Sequence, residues 1–120
     1  MFVRIKCPST VTAGEVLSYN SASSQWETSA DGSSVIAVAR TDAAEVDDGS
    51  GNNIWTTEGV FSGVAWAKAH DELPNQGGAL GVTNGRVSVL NQGDSRRVVL
   101  PNEISASDRV AGDLVRVNLR

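Results

Sequence analysis

Along most of the chain, apolar and polar residues alternate in short runs separated by Gly, Asn, Ser and Asp. A period of two is the spacing of β-strands, whose side chains point alternately to opposite faces. The first run, "FVRIKC" (2–7), sends Val3, Ile5 and Cys7 to one side and Phe2, Arg4 and Lys6 to the other. "EVLSYN" (15–20) and "QWETS" (25–29) flank "SAS", which reads as a hairpin connection. "SVIAVAR" (34–40) is more continuously apolar, as expected of a strand covered on both faces. "NIWTT" (53–57) and "GVFSGVAW" (59–66) follow, then "LGVTNGRVSVL" (80–90), in which Asn84-Gly85 supplies the positive φ angles of a type I′ hairpin turn. "RRVVL" (96–100) and "DLVRVNL" (113–119) complete about nine expected strands. "AWAKAHDEL" (65–73) has room for two helical turns before Pro74, and "SASDRV" (105–110) for one. Neither carries a sustained apolar stripe. The pattern predicts a mainly β protein, a small barrel or sandwich with at most one or two short helices.

One phrase occurs twice. "AGEVLSYN" (13–20) returns as "AGDLVRVN" (111–118), with Gly14 and Gly112 at an offset of 98 (112 − 14). In each copy Ala-Gly-acid is expected to turn the chain and launch a strand, glycine providing the unusual backbone angle. Alternation then matches Leu17 and Tyr19 with Val115 and Val117, and Ser18 and Asn20 with Arg116 and Asn118. Two similar strand starts, pseudo-symmetric in one body, are the expectation; coincidence among short β motifs is the alternative.

A length of 120 residues fits one domain spanning 1–120, which buries about two thirds of its unfolded surface. Ten basic residues against fourteen acidic ones give a net charge of −4, the wrong balance for a nucleic-acid binder. A single cysteine, Cys7, rules out an internal disulfide. Arg4 and Lys6 interrupt the apolar stretch where a signal peptide would lie, and "GVFSGVAWAKA" (59–69) is too short to cross a membrane. The expectation is a chain folded in a cytoplasm, with no membrane partner.

Candidate chemistry is sparse. The single histidine, His70, lies in "AHDEL" beside Pro74 without a G-x-S-x-G nucleophile elbow, and reads as a surface residue rather than a catalytic base. One Cys and one His cannot fill a tetrahedral zinc site. "TDAAEVDDGSGNN" (41–53) gathers Asp42, Glu45, Asp47 and Asp48, yet departs from the EF-hand spacing; a solvated acidic loop is expected and calcium stays open. No phosphate-binding loop and no carrier lysine in a hairpin is found, so no cofactor is implied. Trp26, Trp55 and Trp66 suit a core or an interface, or alternatively a sugar-binding platform. "MFVRIKC" is either an ordinary first strand or, within 1–10, an arm that pairs with a partner's sheet edge.

Taken together, "VTAGEVLSYN", "SSVIAVARTDAA", "EGVFSGVAWA" and "AGDLVRVNL" resemble the capsid decoration, or cement, proteins of tailed bacteriophages. "IAVARTDAA" (36–44) stands for the family's second element, with Ala37 where glycine is often seen, and "EGVF" (58–61) for its third. The acidic stretch 45–53 and the segment after Pro101 have no counterpart in that pattern. The resemblance implies a tulip-like β body on the outer capsid surface of a virion, often a trimer, bound to the major capsid protein and stabilising the shell. It implies no enzyme activity. Phe2, Val3, Arg4, Ile5 and Lys6 are the expected contact residues for the capsid or for a second copy. A carbohydrate-binding module and, more remotely, a small hydrolase using His70 are the rival functions.

Overall fold

A computed structural model describes residues 2–29, 36–70, 78–89, 98–100 and 112–119. Its elements run β1 (Phe2–Lys6), β2 (Val16–Asn20), β3 (Gln25–Thr28), β4 (Ile36–Ala39), β5 (Ala44–Asp47), β6 (Asn53–Val60), β7 (Gly63–Lys68), β8 (Gly78–Thr83), β9 (Arg86–Val89), β10 (Val98–Leu100) and β11 (Leu114–Leu119). The protein is all-β, with eleven strands in place of about nine and no helix among the described residues. The two-turn helix expected over 65–73 is overturned for its first half. Residues 65–68 belong to β7, because Ala65 and Ala67 alternate with Trp66 and Lys68 and β11 supplies a full ladder partner. The helix expected at 105–110 lies outside the described residues.

Two antiparallel sheets are formed. The first has the order β1-β6-β4-β2-β3, with β5 pairing the remaining part of β6; the second has the order β7-β11-β10-β8-β9. A parallel bridge, Ala69↔Val87, brings the two edges of the second sheet together at one point. One bridge is not a ladder, so the architecture is a sandwich rather than a closed barrel. The Asn84-Gly85 turn joins β8 and β9 with φ angles of 47° and 79°, the positive values that a type I′ turn needs.

Two cores result. Val16, Ile36, Val38 and Val60 of the first sheet pack against Ala65, Ala67, Val87, Val115 and Val117 of the second. On the other face of the first sheet, Leu17, Ala37 and Ala39 pack with Ile5, Cys7 and Val11, under Trp26 and Phe61. The continuous burial of β4 is thereby explained: Ile36 and Val38 enter one core, Ala37 and Ala39 the other. Val16 and Leu17 are both fully buried, and each contributes roughly 1.5–3 kcal/mol of burial.

The repeated phrase has a structural counterpart. Gly14 N–H donates to Ala39 C=O at 2.8 Å and Ala39 N–H donates to Glu15 C=O at 2.8 Å. In the second copy, Gly112 N–H donates to Ala69 C=O at 2.8 Å and Ala69 N–H donates to Asp113 C=O at 2.9 Å. Both glycines have positive φ, 94° and 87°. The strand pairs agree as well: β2 opposes β4 with Leu17↔Ala37, and β11 opposes β7 with Val115↔Ala67. The likeness ends beyond the first residues, since Tyr19 is exposed whereas its counterpart Val117 is buried. Leu17 and Tyr19 lie on the face of the first sheet turned away from the second, whereas Val115 and Val117 lie between the sheets.

The seam between the sheets is made of backbone hydrogen bonds. Lys68 N–H donates to Gly14 C=O, Val16 N–H to Gly85 C=O, and Gly85 N–H to Ser29 C=O, at 2.8, 2.7 and 2.7 Å. The tip of the β8–β9 hairpin is therefore plugged into the ends of β2 and β3. A β-carbon on Gly85 would stand 2.6 Å from Thr28 Cγ2. Gly85→Ala is expected to cost about 2–4 kcal/mol, combining the left-handed backbone penalty with overpacking. A urea titration reads it as a lowered midpoint at unchanged slope.

Cys7 lies in the second core, 2% exposed, and burial raises its thiol pKa above the ordinary 9.0. The folded state thus holds this proton longer than the unfolded chain does. The linked stability is full below the ordinary thiol pKa and is lost as pH rises through the folded value. Between about pH 8 and pH 10 the urea midpoint should fall more for the wild type than for Cys7→Ala.

Candidate functional site: an apolar face and groove

The residues expected to make contacts form β1, which pairs with β6 along its whole length, Phe2↔Val60 through Lys6↔Thr56. Phe2–Lys6 is thus an edge strand of the sandwich, the ordinary-first-strand reading of this segment. Ile5 points into the second core, and Arg4 donates to Thr56 Oγ1 at 3.1 Å while approaching Glu58 at 4.0 Å. Phe2 and Val3 stay about half exposed. Lys6 is exposed.

Phe2 is linked through Arg40 to a groove. The Arg40 guanidinium stacks over the Phe2 ring, 4.3 Å from its centroid, and pairs with Glu58 at 3.2 Å. Arg40 and Val60, the strand partner of Phe2, both line a groove of about 140 Å³. Its opposite wall is Val64, Ala65 and Trp66 of β7 with Leu114 of β11. Val64 is 59%, Trp66 55% and Leu114 45% exposed. Their exposure follows from alternation: Ala65, Ala67 and Ala69 face the core, so the large members of β7 face solvent. Across the ladder Trp66 opposes Arg116, and Lys68 opposes Leu114.

The groove is smaller than the roughly 300 Å³ at which small-molecule pockets begin. It holds about one aliphatic side chain. Among the described residues, Arg40 is the single ionisable one in its wall.

The other candidates sit elsewhere. His70 is exposed, and its backbone N–H donates to Val87 C=O at 2.8 Å. The acidic stretch is a β5–β6 hairpin: Asp47 Oδ1 accepts from Gly49 N–H at 2.9 Å, and Asp48 Oδ1 from Ser50 N–H at 2.8 Å. Glu45 accepts from Asn53 Nδ2, and Asp42 from Ala13 N–H. These carboxylates act as turn and loop acceptors, and among the described residues no group of three or more His, Cys, Asp or Glu is gathered for a metal. Trp26 leans on the second core between Tyr19 and Phe61, with edge-on rings 5.7 and 5.1 Å away. Trp55 is partly exposed on β6 opposite Glu45. Of the three tryptophans, Trp66 alone lines the groove.

Sequence reasoning placed Phe2 and Trp66 among candidate contacts and missed Arg40, Val64 and Leu114. The missed signal is the order of "VAWAKA" (64–69), in which every second residue is alanine. Two sheets in close approach take the small side chains inward and leave the large ones outside. No protein-family model and no curated protein sequence matches the chain.

Proposed function

We propose that this is a structural virion protein that binds the outer surface of a phage capsid and stabilises the shell. The observation that carries the reading is the exposed apolar cluster of Val64, Trp66 and Leu114 beside a groove whose other wall holds Arg40, stacked on the exposed Phe2. Large exposed apolar patches rimmed by polar groups are characteristic of protein docking faces. The resemblance of the four sequence segments to cement proteins supplies the partner, the major capsid protein, and a trimer as the assembly.

Such a protein works by linkage. Binding the assembled shell in preference to free subunits stabilises it by mass action, roughly 2.7 kcal/mol per site at a hundred times the dissociation constant. A trimer adds avidity, since its second and third contacts are effectively intramolecular. A footprint of about 800 Å² per partner is enough for specificity. The test mixes purified protein with shells that lack it. Co-sedimentation and a raised shell melting temperature are expected; unchanged melting at saturating protein refutes the reading.

Exposure of Trp66 beside a groove favours one second reading, a carbohydrate-binding module. A saturable tryptophan fluorescence shift on a glycan panel, without shell binding, would select it.

A further inference from the structure

We infer that the groove is a strand-addition site: an extended, acidic segment of the partner protein pairs with the open edge of β7 at Val64 and Trp66. The inference deepens the decoration reading and rests on it for the partner's identity. In a strand, a residue's N–H and C=O point to one edge and its neighbour's to the other. Ala69 N–H points toward β11, where it donates to Asp113 C=O. Ala65 and Ala67 therefore also face β11, and the even-numbered residues face away from it.

That outer edge is closed from one end only. His70 N–H is taken by Val87 C=O of β9, and Lys68 N–H by Gly14 C=O. The next two positions, Trp66 and Val64, have no strand partner on that side among the described residues. They leave two N–H donors and two C=O acceptors beside a groove that takes one aliphatic side chain. An added strand satisfies those four groups, and its alternate side chains meet the groove and the outer face.

Charge sets the chemistry of the segment. Arg40 is the ionisable group in the groove wall, and Arg116 and Lys68 stand on the outer face of the same two strands. Arg40 and Arg4 share the single carboxylate of Glu58, which leaves one positive charge over. Arg116 and Lys68 have no carboxylate within 4.0 Å among the described residues, Glu15 reaching Lys68 only through Thr12 Oγ1. Asp113, next to the groove residue Leu114, is exposed. An acidic segment with alternating aliphatic residues fits this edge, and a basic one does not.

Amide hydrogen exchange tests it on the full chain with a blocked heptapeptide of alternating valine and glutamate. In the free protein, Val64 and Trp66 amides should exchange much faster than Ala65 and Ala67. At roughly ten times its dissociation constant the peptide should slow those two amides about tenfold. Its lysine counterpart and its N-methylated form should have no effect. Equal protection of all four amides in the free protein, no binding by the acidic peptide, or equal binding by the N-methylated form overturns the proposal. Val64→Pro removes an outward N–H that the β11 ladder does not use. This variant, if folded, should lose shell binding; retained binding excludes strand addition while leaving the decoration reading intact. Failure of the wild type to bind shells sinks the decoration reading instead. A Val64→Pro chain that does not fold leaves the N-methylated peptide as the deciding measurement.

Discussion

Replacing Gly14 by alanine is expected to lower folding stability by about 2–5 kcal/mol, whereas the same change at Gly112 should cost only about 1–2 kcal/mol. The two glycines occupy equivalent places in the repeated phrase and share a positive φ, so both pay the left-handed backbone penalty. They differ in what surrounds them. A β-carbon at Gly14 would lie 2.4 Å from Leu114 Cδ2, 2.9 Å from Lys68 Cγ and 3.2 Å from Lys68 N, whereas no described atom comes within 4 Å of one at Gly112. Leu114 can swing aside. The Lys68 nitrogen cannot, because it donates to Gly14 C=O and fixes the seam between the sheets. Total stability of such a domain is about 5–15 kcal/mol, so Gly14→Ala should leave a marginal protein. Urea titration should show the Gly14→Ala midpoint about 1 M below that of Gly112→Ala. Adding Leu114→Ala to Gly14→Ala should recover part of the loss and leave the backbone share. Equal midpoints for the two glycine variants would show that Gly14 is not wedged between the sheets.

The contrast between these glycines marks the boundary of what the sequence conveys. Period-two alternation and turn residues are local signals, and they located β1, β2, β3, β4 and the β8–β9 hairpin close to where they fold. The repeat was legible as two glycine turns because positive φ is a property of the residue itself. That Gly14 lies against Lys68 and Leu114 while no described atom lies against Gly112 depends on which sheet covers which. Alternation within one strand does not contain that information. β5 was missed for a related reason: "AEVD" looks like solvated acid, and its pairing with β6 comes from the Asp47 and Asp48 turn that follows.

β7 shows the same limit at the site. In "GVAWAK" either face could be taken as the inner one, and tryptophan normally argues for burial. The inter-sheet spacing decided otherwise, because Ala65, Ala67 and Ala69 let the strand approach Val16 and Val38 closely. A large side chain forced outward beside a groove is a consequence of that approach, and it creates the apolar face. Residue type and local motif context are all the sequence offers on the His70 and acidic-loop candidates. Their surroundings, a backbone bond to Val87 and a set of turn acceptors, are tertiary facts.

Trp66→Ala should separate binding from folding. With more than half of its surface exposed and its ring outside both cores, Trp66 contributes little to stability, and the urea midpoint should move by no more than about 0.5–1 kcal/mol equivalent. Aromatic anchors at the centre of docking faces carry about 2 kcal/mol or more, so shell affinity should fall roughly thirtyfold. Trp26→Ala should do the reverse. Its ring packs on the second core between Tyr19 and Phe61, so its loss costs about 2–4 kcal/mol of folding while the folded fraction still binds shells normally. Equilibrium unfolding and co-sedimentation on the two variants check both halves. If Trp66→Ala binds shells as the wild type does, the apolar face of β7 and β11 is not the docking surface, and contacts must be sought on β1, where Phe2 and Val3 are also exposed.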